Sequence, residues 1–201
     1  MGNRDINWYC RVYDDFLEPQ FCAQYVDKFE ETITKDSKRH RELSVCYRED
    51  GSMICGACDC MRTNPMEYER FSDLNSYLIP KWQEAIDRYK EDVEIHQHQW
   101  PEKYGFEAFR LKRYMPNNID QFPEHVDVLN LKTAKRFLVA FLYLDNNSRG
   151  ETVINPKDDL FVSFCKQGSL LLFPPMWPWT HEGSKPIDKP KYIIGSYLHY
   201  V

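Results

Sequence analysis

Three side chains that could ligate a metal ion stand in the second half of the chain. His125 and Asp127 are separated by one residue, and His181 follows 54 positions after Asp127. Residues two apart on a β-strand project to the same face, so His125 and Asp127 can point into one cavity. Two imidazoles and one carboxylate fill three coordination positions and leave others open, an arrangement that suits non-haem Fe(II). We therefore predict a catalytic metal centre formed by His125, Asp127 and His181.

The spacing of His125 and Asp127 is weak evidence when taken alone. Chance supplies roughly half of one His-X-Asp triplet in a chain of this composition. A single histidine such as His181 is more often structural than a ligand. Stronger support for the triad has to come from the order of the residues that surround it.

The residues of the triad must be positioned by strands, and the second half of the chain is rich in them. Eight short strands in about 95 residues are typical of a jelly roll and not of a parallel sheet with helical crossovers. The runs are separated by turn-forming residues and lie at 106–114, 122–129, 136–145, 151–155, 159–165, 169–173, 178–182 and 191–200.

The first hundred residues have a different pattern. Residues 8–17 mix aromatic and aliphatic side chains, which predicts a strand or hairpin arm. Apolar residues recur at spacings of three and four over 18–31 and 66–96, which predicts amphipathic helices. The second stretch is either one long helix or two helices that meet at Pro80. We predict a mainly β fold with packed N-terminal helices and a double-stranded β-helix (jelly roll) core. It forms a single domain, in which 1–100 give helical support and the substrate side and 101–201 form the catalytic core.

The second half of the chain resembles the Fe(II)/2-oxoglutarate-dependent oxygenases, and within them the prolyl 4-hydroxylase-like branch. The resemblance covers residues 104–200. One departure is Arg149, where the turn of the family usually has a second glycine. The matching segments are, in order, Tyr114-Met-Pro-Asn, His125-Val-Asp, 136–145, Gly150-Glu-Thr, 168–174, His181-Glu and Lys191-Tyr.

The resemblance implies an Fe(II)- and 2-oxoglutarate-dependent dioxygenase. With O2, such an enzyme hydroxylates a C–H bond and releases succinate and CO2. The resemblance also implies that Lys191 and Tyr143 bind the distal carboxylate of 2-oxoglutarate, and that Tyr114 contacts its iron-chelating end. A buried ammonium needs a counter-charge, which agrees with this role for Lys191. Whether ascorbate is needed to keep the iron reduced stays open.

The expected substrate is a peptidyl proline or another amino-acid substrate. Arg136, Trp179 and Tyr197 are the candidates for the substrate side of the pocket, because aromatic walls and a cation suit proline rings or carboxylates. The alternative for Trp179 is that it plugs the mouth of the barrel together with Trp177. Residues 35–61 are a candidate lid.

Composition narrows the class of protein without identifying its function. The net charge of −5 argues against nucleic acid or an anionic membrane as a partner. The longest apolar run, 137–144, has eight residues and is too short to span a bilayer. The seven cysteines are an odd number and no apolar leader precedes them, which predicts a reducing, cytoplasmic location. The oligomeric state stays open.

Two alternatives compete with the oxygenase. One is a non-catalytic double-stranded β-helix that acts as a binding module. The other is a regulatory zinc site at Cys55, Cys58 and Cys60, with Cys46 or His40 as the fourth ligand. Because a second Cys-X-X-Cys pair is absent from the sequence, a loop with free thiols is the favoured interpretation of this segment.

Overall fold

A computed structural model of the chain describes residues 5–35, 41–47, 50–63, 69–155, 157 and 160–201. Within these residues the chain forms two α-helices and twelve strands. The helices are α1 (Pro19–Lys35) and α2 (Ser72–Asp92). The strands are β1 (Arg11–Tyr13), β2 (Arg41–Tyr47), β3 (Met53–Arg62), β4 (Tyr104–Phe106), β5 (Arg110–Tyr114), β6 (Phe122–His125), β7 (Arg136–Tyr143), β8 (Thr152–Ile154), β9 (Phe161–Ser163), β10 (Leu170–Phe173), β11 (His181–Gly183) and β12 (Lys191–Tyr200).

The strands form two antiparallel sheets. The larger sheet has the order β1-β10-β7-β12-β5-β3-β2, with β4 paired to β12, and the smaller sheet has the order β6-β11-β8-β9. Val139, Tyr143 and Phe173 of the larger sheet share a buried cluster with Ile154 of the smaller sheet. The predicted jelly-roll core with packed helices is therefore confirmed.

The two helices cover the outer face of the larger sheet. Each helix buries the periodic apolar positions that the sequence predicted, such as Tyr25 and Phe29 in α1 and Leu78 and Trp82 in α2. These side chains pack in one cluster with Leu138, Ala140 and Leu142 of β7. None of the described helices has the length and apolarity needed to cross a membrane.

Pro80 does not divide the second helix. It lies inside α2, whose single span runs from Ser72 to Asp92. Pro80 and Ser76 are both exposed. The Ser76 carbonyl that loses its helical partner can therefore bond to water, which removes much of the cost of an interior proline.

The apolar run at 137–144 is explained by the position of β7. Leu138, Ala140 and Leu142 face the helices, whereas Val139 and Tyr143 face the smaller sheet. A strand that is buried on both faces needs apolar side chains at consecutive positions. The pattern reflects a central strand of the larger sheet.

The interpretation of the cysteine segment as a loop was wrong. Residues 53–62 form β3, which pairs with β2 on one side and with β5 on the other. Cys58 and Cys60 are buried on one face of this strand, and all seven cysteines are free. The described part of the candidate lid is thus a β2–β3 hairpin that extends the larger sheet. His40 lies outside the described residues.

Strand predictions in the second half were correct in position and too long in extent. The segment predicted at 106–114 is divided between β4 and β5, whereas β12 begins and ends where predicted. Residues 8–17 contain the short strand β1 in place of a longer arm. Arg149 is not among the residues with positive φ, while Gly150 has φ of 92°. The turn therefore requires glycine at position 150 only, which accounts for the departure at Arg149.

Candidate metal centre

His125 and His181 meet because β6 and β11 are antiparallel neighbours. In their register His125 lies directly opposite His181, and the two ring centroids are 4.2 Å apart. Asp127 follows β6 by two residues, and its backbone N–H donates to the Pro175 carbonyl at 3.1 Å. Residues far apart in sequence therefore converge on the inner face of the smaller sheet.

The ligating atoms of the triad lie within 4.8 Å of one another. An Asp127 oxygen lies 3.6 Å from His125 Nε2, and the other lies 3.3 Å from His181 Nε2. In the part of the chain that the structure describes, this is the only group of three or more His, Cys, Asp or Glu side chains that could hold a metal ion. The cysteines of β3 form no such group there.

Backbone carbonyls fix the orientation of both imidazoles. Nδ1 of His125 lies 2.8 Å from the Pro123 carbonyl, and Nδ1 of His181 lies 3.0 Å from the Trp179 carbonyl. Because a carbonyl only accepts, we assign the proton of each ring to Nδ1. Each Nε2 therefore presents a lone pair to the carboxylate of Asp127.

The centre has acceptors and no donor among its three ligands. His125 Nε2 and Asp127 Oδ2 are buried and have no hydrogen-bond partner. Buried acceptors that face each other are unfavourable unless a cation lies between them. The donor set, its Nδ1 hydrogen bonds and its orphaned atoms fit a divalent metal ion.

The surroundings of His125 and Asp127 lower the pKa of both side chains. Burial, with a smaller contribution from His181, lowers the pKa of His125. Burial alone would raise the pKa of Asp127, but the interactions with His181 and His125 outweigh it and hold that pKa well below its usual range. An ionised carboxylate and a neutral His125 imidazole are forms that ligate metals.

Two residues that were predicted for the substrate side lie around Asp127. The Tyr197 hydroxyl donates to Asp127 Oδ1 at 2.6 Å, and the Arg136 guanidinium lies 3.8 Å from the centre of the Tyr197 ring. Arg136 also donates to the Asp127 carbonyl at 3.3 Å and to both Glu107 oxygens at 2.7 and 2.8 Å. Tyr197 lines the cavity beside the triad, whereas Arg136 is not among its lining residues. The charge of Arg136 is thus paired with Glu107.

Lys191 lies in the same cavity as Asp127 and His181. Its side chain is 2% exposed, and its ammonium lies 5.4 Å from the ring centre of Tyr114 and 5.7 Å from that of Tyr143. Within the described residues it has no hydrogen bond or ion pair. Burial lowers its pKa. An anion that enters the cavity would find here an unpaired, partly dehydrated cation.

Tyr143 and Tyr114 are both buried beside Lys191, and both hydroxyls have protein partners. Tyr143 donates to the Ser163 carbonyl at 3.1 Å, and its hydroxyl oxygen lies 2.8 Å from Thr152 Oγ1. Tyr114 is hydrogen-bonded to the thiol of Cys58. Tyr114 and Thr152 line the cavity. Their predicted contacts with 2-oxoglutarate stay predictions, and Thr152 is an addition that no sequence signal suggested.

Trp179 is placed at the N-terminal segment. Its indole N–H donates to the Ile6 carbonyl at 2.9 Å, and its ring packs edge-on against Tyr9 with centroids 6.1 Å apart. It is not among the residues that line the cavity, and Trp177 is 78% exposed. The role of Trp179 toward a substrate stays a prediction.

Two cationic cavity residues were also not predicted from the sequence. Arg110 and Lys112 of β5 line the cavity together with Tyr114. The three residues alternate along a strand that the sequence had predicted, so the alternation of side chains along a strand could have indicated that they share a face.

Solved structures with a similar fold include three prolyl hydroxylases. The viral collagen prolyl hydroxylase of Paramecium bursaria Chlorella virus-1, solved as its 2OG complex, gives a TM-score of 0.64 at 17% identity, covering 96% of both chains. A Pseudomonas putida prolyl-4-hydroxylase gives 0.64 at 13% identity, covering 96% of this chain and 92% of that one. A Trichoplax adhaerens prolyl hydroxylase, in complex with a hypoxia inducible factor oxygen degradation domain peptide fragment, gives 0.67 at 16% identity, covering 94% of this chain and 83% of that one. No family model and no curated protein matches the sequence.

These likenesses confirm at the level of the fold the resemblance that the sequence motifs indicated. The chain has the double-stranded β-helix found in the 2OG-Fe(II) oxygenases. Because one fold supports many reactions, the function has to be argued from the site.

Proposed function

We propose that the protein is an Fe(II)- and 2-oxoglutarate-dependent dioxygenase that hydroxylates a C–H bond of a peptidyl proline or another amino-acid substrate. The observation that carries the proposal is the convergence of three buried acceptors, with no donor between them, on the inner face of the barrel. The unpaired ammonium of Lys191 in the same cavity adds a place for a carboxylate.

The residues of the chain divide the work of binding. His125, Asp127 and His181 would hold Fe(II), and Lys191 would pair with the distal carboxylate of 2-oxoglutarate. Together with 2-oxoglutarate and O2, the bound iron would supply the oxidising power for C–H hydroxylation, with succinate and CO2 as co-products. Tyr197 holds the Asp127 carboxylate in place through its hydroxyl.

The walls of the cavity would keep water from the reacting groups. Val139, Phe141 and Ile193 present apolar side chains to the space between the triad and Lys191. Exclusion of water strengthens the attraction between Lys191 and a carboxylate, because the local dielectric constant falls.

An amino-acid substrate is supported by the comparisons and by the aromatic residues near the triad. Three of the similar structures are prolyl hydroxylases, and one of these is in complex with a peptide fragment. Arg136, Trp179 and Tyr197 are retained as substrate-side candidates. A single domain in a reducing, cytoplasmic location, without nucleic acid as a partner, belongs to the same proposal.

The direct test is turnover of 2-oxoglutarate by purified, Fe(II)-loaded protein. We expect succinate to form when a proline-containing peptide is added, with and without ascorbate as separate arms. His125→Ala should abolish succinate formation because it removes one of three ligands, while the exposed His98 offers a matched control in His98→Ala. Iron-loaded protein that binds no 2-oxoglutarate and makes no succinate would contradict the proposal and favour a non-catalytic binding module.

A further inference from the structure

Arg110 and Lys112 form a cationic wall on one side of the cavity that contains the triad. Both side chains line this cavity from the face of β5 that also carries Tyr114. In the pairing of β5 with β12, Tyr114 lies opposite Lys191 and Arg110 lies opposite Gly195. The position opposite Arg110 is thus a glycine, and the side chain of Phe141 packs close to it.

Neither cation of this wall has a counter-ion among the described residues. Arg110 and Lys112 make no hydrogen bond or ion pair there, and the Lys112 ammonium lies 4.7 Å from the ring centre of Phe122. The pKa of Glu107 is lowered chiefly by Arg136 and to a smaller extent by the charge of Arg110. Both oxygens of Glu107 accept hydrogen bonds from Arg136, so Glu107 forms its ion pair with Arg136. The wall is therefore positively charged and unpaired.

The cavity stays positive even when the proposed cofactors are counted. Its lining contains three cationic side chains, Arg110, Lys112 and Lys191, and one carboxylate, Asp127. A divalent ion and the 2-oxoglutarate dianion cancel each other, so a net charge of about plus two is left. This contrasts with the net charge of −5 of the whole chain. A cleft of one sign inside a protein of the opposite sign concentrates ligands of complementary charge.

Arg110 and Lys191 stand at different levels of the cavity wall. Gly195, the residue of β12 opposite Arg110, is four residues from Lys191, which corresponds to about 13 Å along the strand. Tyr197, which holds Asp127, is only two residues beyond Gly195. Along the sheet, Arg110 is therefore nearer to Tyr197, which binds Asp127, than to Lys191.

We infer that the substrate presents a carboxylate to Arg110, with Lys112 as the second positive charge of the same subsite. A planar guanidinium can hold a carboxylate with two parallel hydrogen bonds, which would orient the substrate as well as attract it. The carboxylate could be the main-chain carboxylate of a small amino-acid derivative or the side chain of an acidic residue next to the target in a peptide. The inference rests on the proposed function, since it takes the triad end as the reaction site.

The test is the binding of two matched pairs of probes to Mn(II)-loaded protein, which does not turn over. The first pair is N-acetyl-L-proline and N-acetyl-L-prolinamide, and the second is acetyl-Asp-Pro-Gly-amide and acetyl-Asn-Pro-Gly-amide. Calorimetry is carried out with and without 2-oxoglutarate. We expect the carboxylate member of at least one pair to bind at least tenfold more tightly than its neutral analogue, which is about 1.4 kcal/mol. The pair that discriminates identifies the source of the carboxylate.

Variants test whether Arg110 is responsible for the preference for the carboxylate probe. Arg110→Gln should remove the preference for the carboxylate, Arg110→Lys should retain part of it, and Lys103→Gln, at an exposed position, should leave it unchanged. The affinity for 2-oxoglutarate should stay the same in Arg110→Gln. Equal affinity, or no detectable binding, for both members of both pairs would overturn the inference, as would a preference that survives Arg110→Gln. Failure of the wild-type protein to bind 2-oxoglutarate would instead contradict the proposed function.

Discussion

At the metal centre, the hydrogen bonds of the ligands decide which atoms are available for a metal. The carbonyls of Pro123 and Trp179 accept hydrogen bonds from Nδ1–H of the two histidines. The hydroxyl of Tyr197 donates a hydrogen bond to one oxygen of Asp127. These contacts fix three side chains that would otherwise rotate. The geometry is therefore prepared before a metal arrives, which reduces the free energy spent on ordering the site when the metal binds.

Tyr197→Phe tests this preparation. The change removes the 2.6 Å hydrogen bond to Asp127 and keeps the aromatic ring under Arg136. We expect the affinity for Fe(II) or Mn(II) to fall roughly 10–100-fold with the fold unchanged, because partners of metal ligands typically contribute that much. The metal affinity is measured by competition with a chelator. The exposed Tyr200 gives the control Tyr200→Phe, and equal affinities in the two variants would contradict this role of the hydroxyl.

Lys191→Met tests the buried cation. Removing the ammonium should weaken 2-oxoglutarate binding roughly 100-fold, since the loss of a buried charge partner costs several kcal/mol. Without ligand, the same change should stabilise the protein by on the order of 1–2 kcal/mol, because an unpaired buried charge is lost. Urea unfolding of both proteins measures the second effect. A ligand-free variant that is less stable than the wild type would contradict it.

The stability gain from Lys191→Met should depend on pH. The pKa of Lys191 is lowered in the folded protein, so between that pKa and the ordinary lysine pKa of 10.5 the unfolded chain binds more protons. Stability of the wild type therefore rises with pH through this window. The difference in the free energy of unfolding between the variant and the wild type should be largest at pH values below the pKa of folded Lys191. It should shrink as the pH rises toward 10.5. A difference that does not change with pH would show that Lys191 has no shifted pKa.

Among the elements, the β2–β3 hairpin depends on a buried ionic contact. Arg41 of β2 donates to Asp120, whose side chain is fully buried and also accepts from the Met115 backbone N–H at 2.8 Å. Asp120 in addition forms a bridge with Ala57 of β3. The hairpin is thereby joined to the segment between β5 and the metal-bearing strand β6.

Asp120→Ala should loosen this attachment. We expect a loss of about 2 kcal/mol in the free energy of unfolding. The Met115 N–H loses its acceptor, while the partly buried Arg41 loses its nearer acceptor and keeps the 3.4 Å contact with Asp59. Hydrogen exchange in β2 and β3 should rise as well. Denaturant unfolding is compared with that of Asp27→Ala, at an exposed position of α1. Equal stabilities would refute the attachment through Asp120.

Sequence patterns predicted the elements that are buried on a regular face. Alternation allowed His125 and Asp127 to share a face, while the ordered resemblance to a known family supported the triad and implied the role of Lys191. The β2–β3 hairpin was missed because Leu43, Val45 and Tyr47 are exposed apolar residues in a polar segment, so their alternation does not indicate a core. The turn signal Asp50-Gly51, with φ of 78° at Gly51, was available in the sequence.

The pairing of charges could not be predicted from the sequence. The substrate-side candidate Arg136 is paired with Glu107, and its position in the sequence did not indicate that partner. Arg110 and Lys112 were not singled out in the sequence, although they line the cavity and make no ion pair among the described residues. Whether a cation has a counter-ion depends on residues of other strands, and the local spacing of residues in the sequence does not indicate which strands become neighbours.

For the whole molecule, the two sheets create one cavity in which a metal-ligating triad and an unpaired lysine face the same space. The helices stabilise the larger sheet from outside and take no part in lining this cavity. The fold thus supplies a rigid frame, while the reaction depends on a small set of side chains. The central claim is that this cavity binds Fe(II) and 2-oxoglutarate together.

An anaerobic titration of the protein with Fe(II) and 2-oxoglutarate tests that claim most directly, because it requires no knowledge of the substrate. We predict a visible metal-to-ligand charge-transfer band that saturates at one equivalent of each component. The band should be absent in His181→Ala, and Lys191→Met should need roughly 100-fold more 2-oxoglutarate to reach it. Wild-type protein that gives no band, or a band that persists in His181→Ala, would contradict the account.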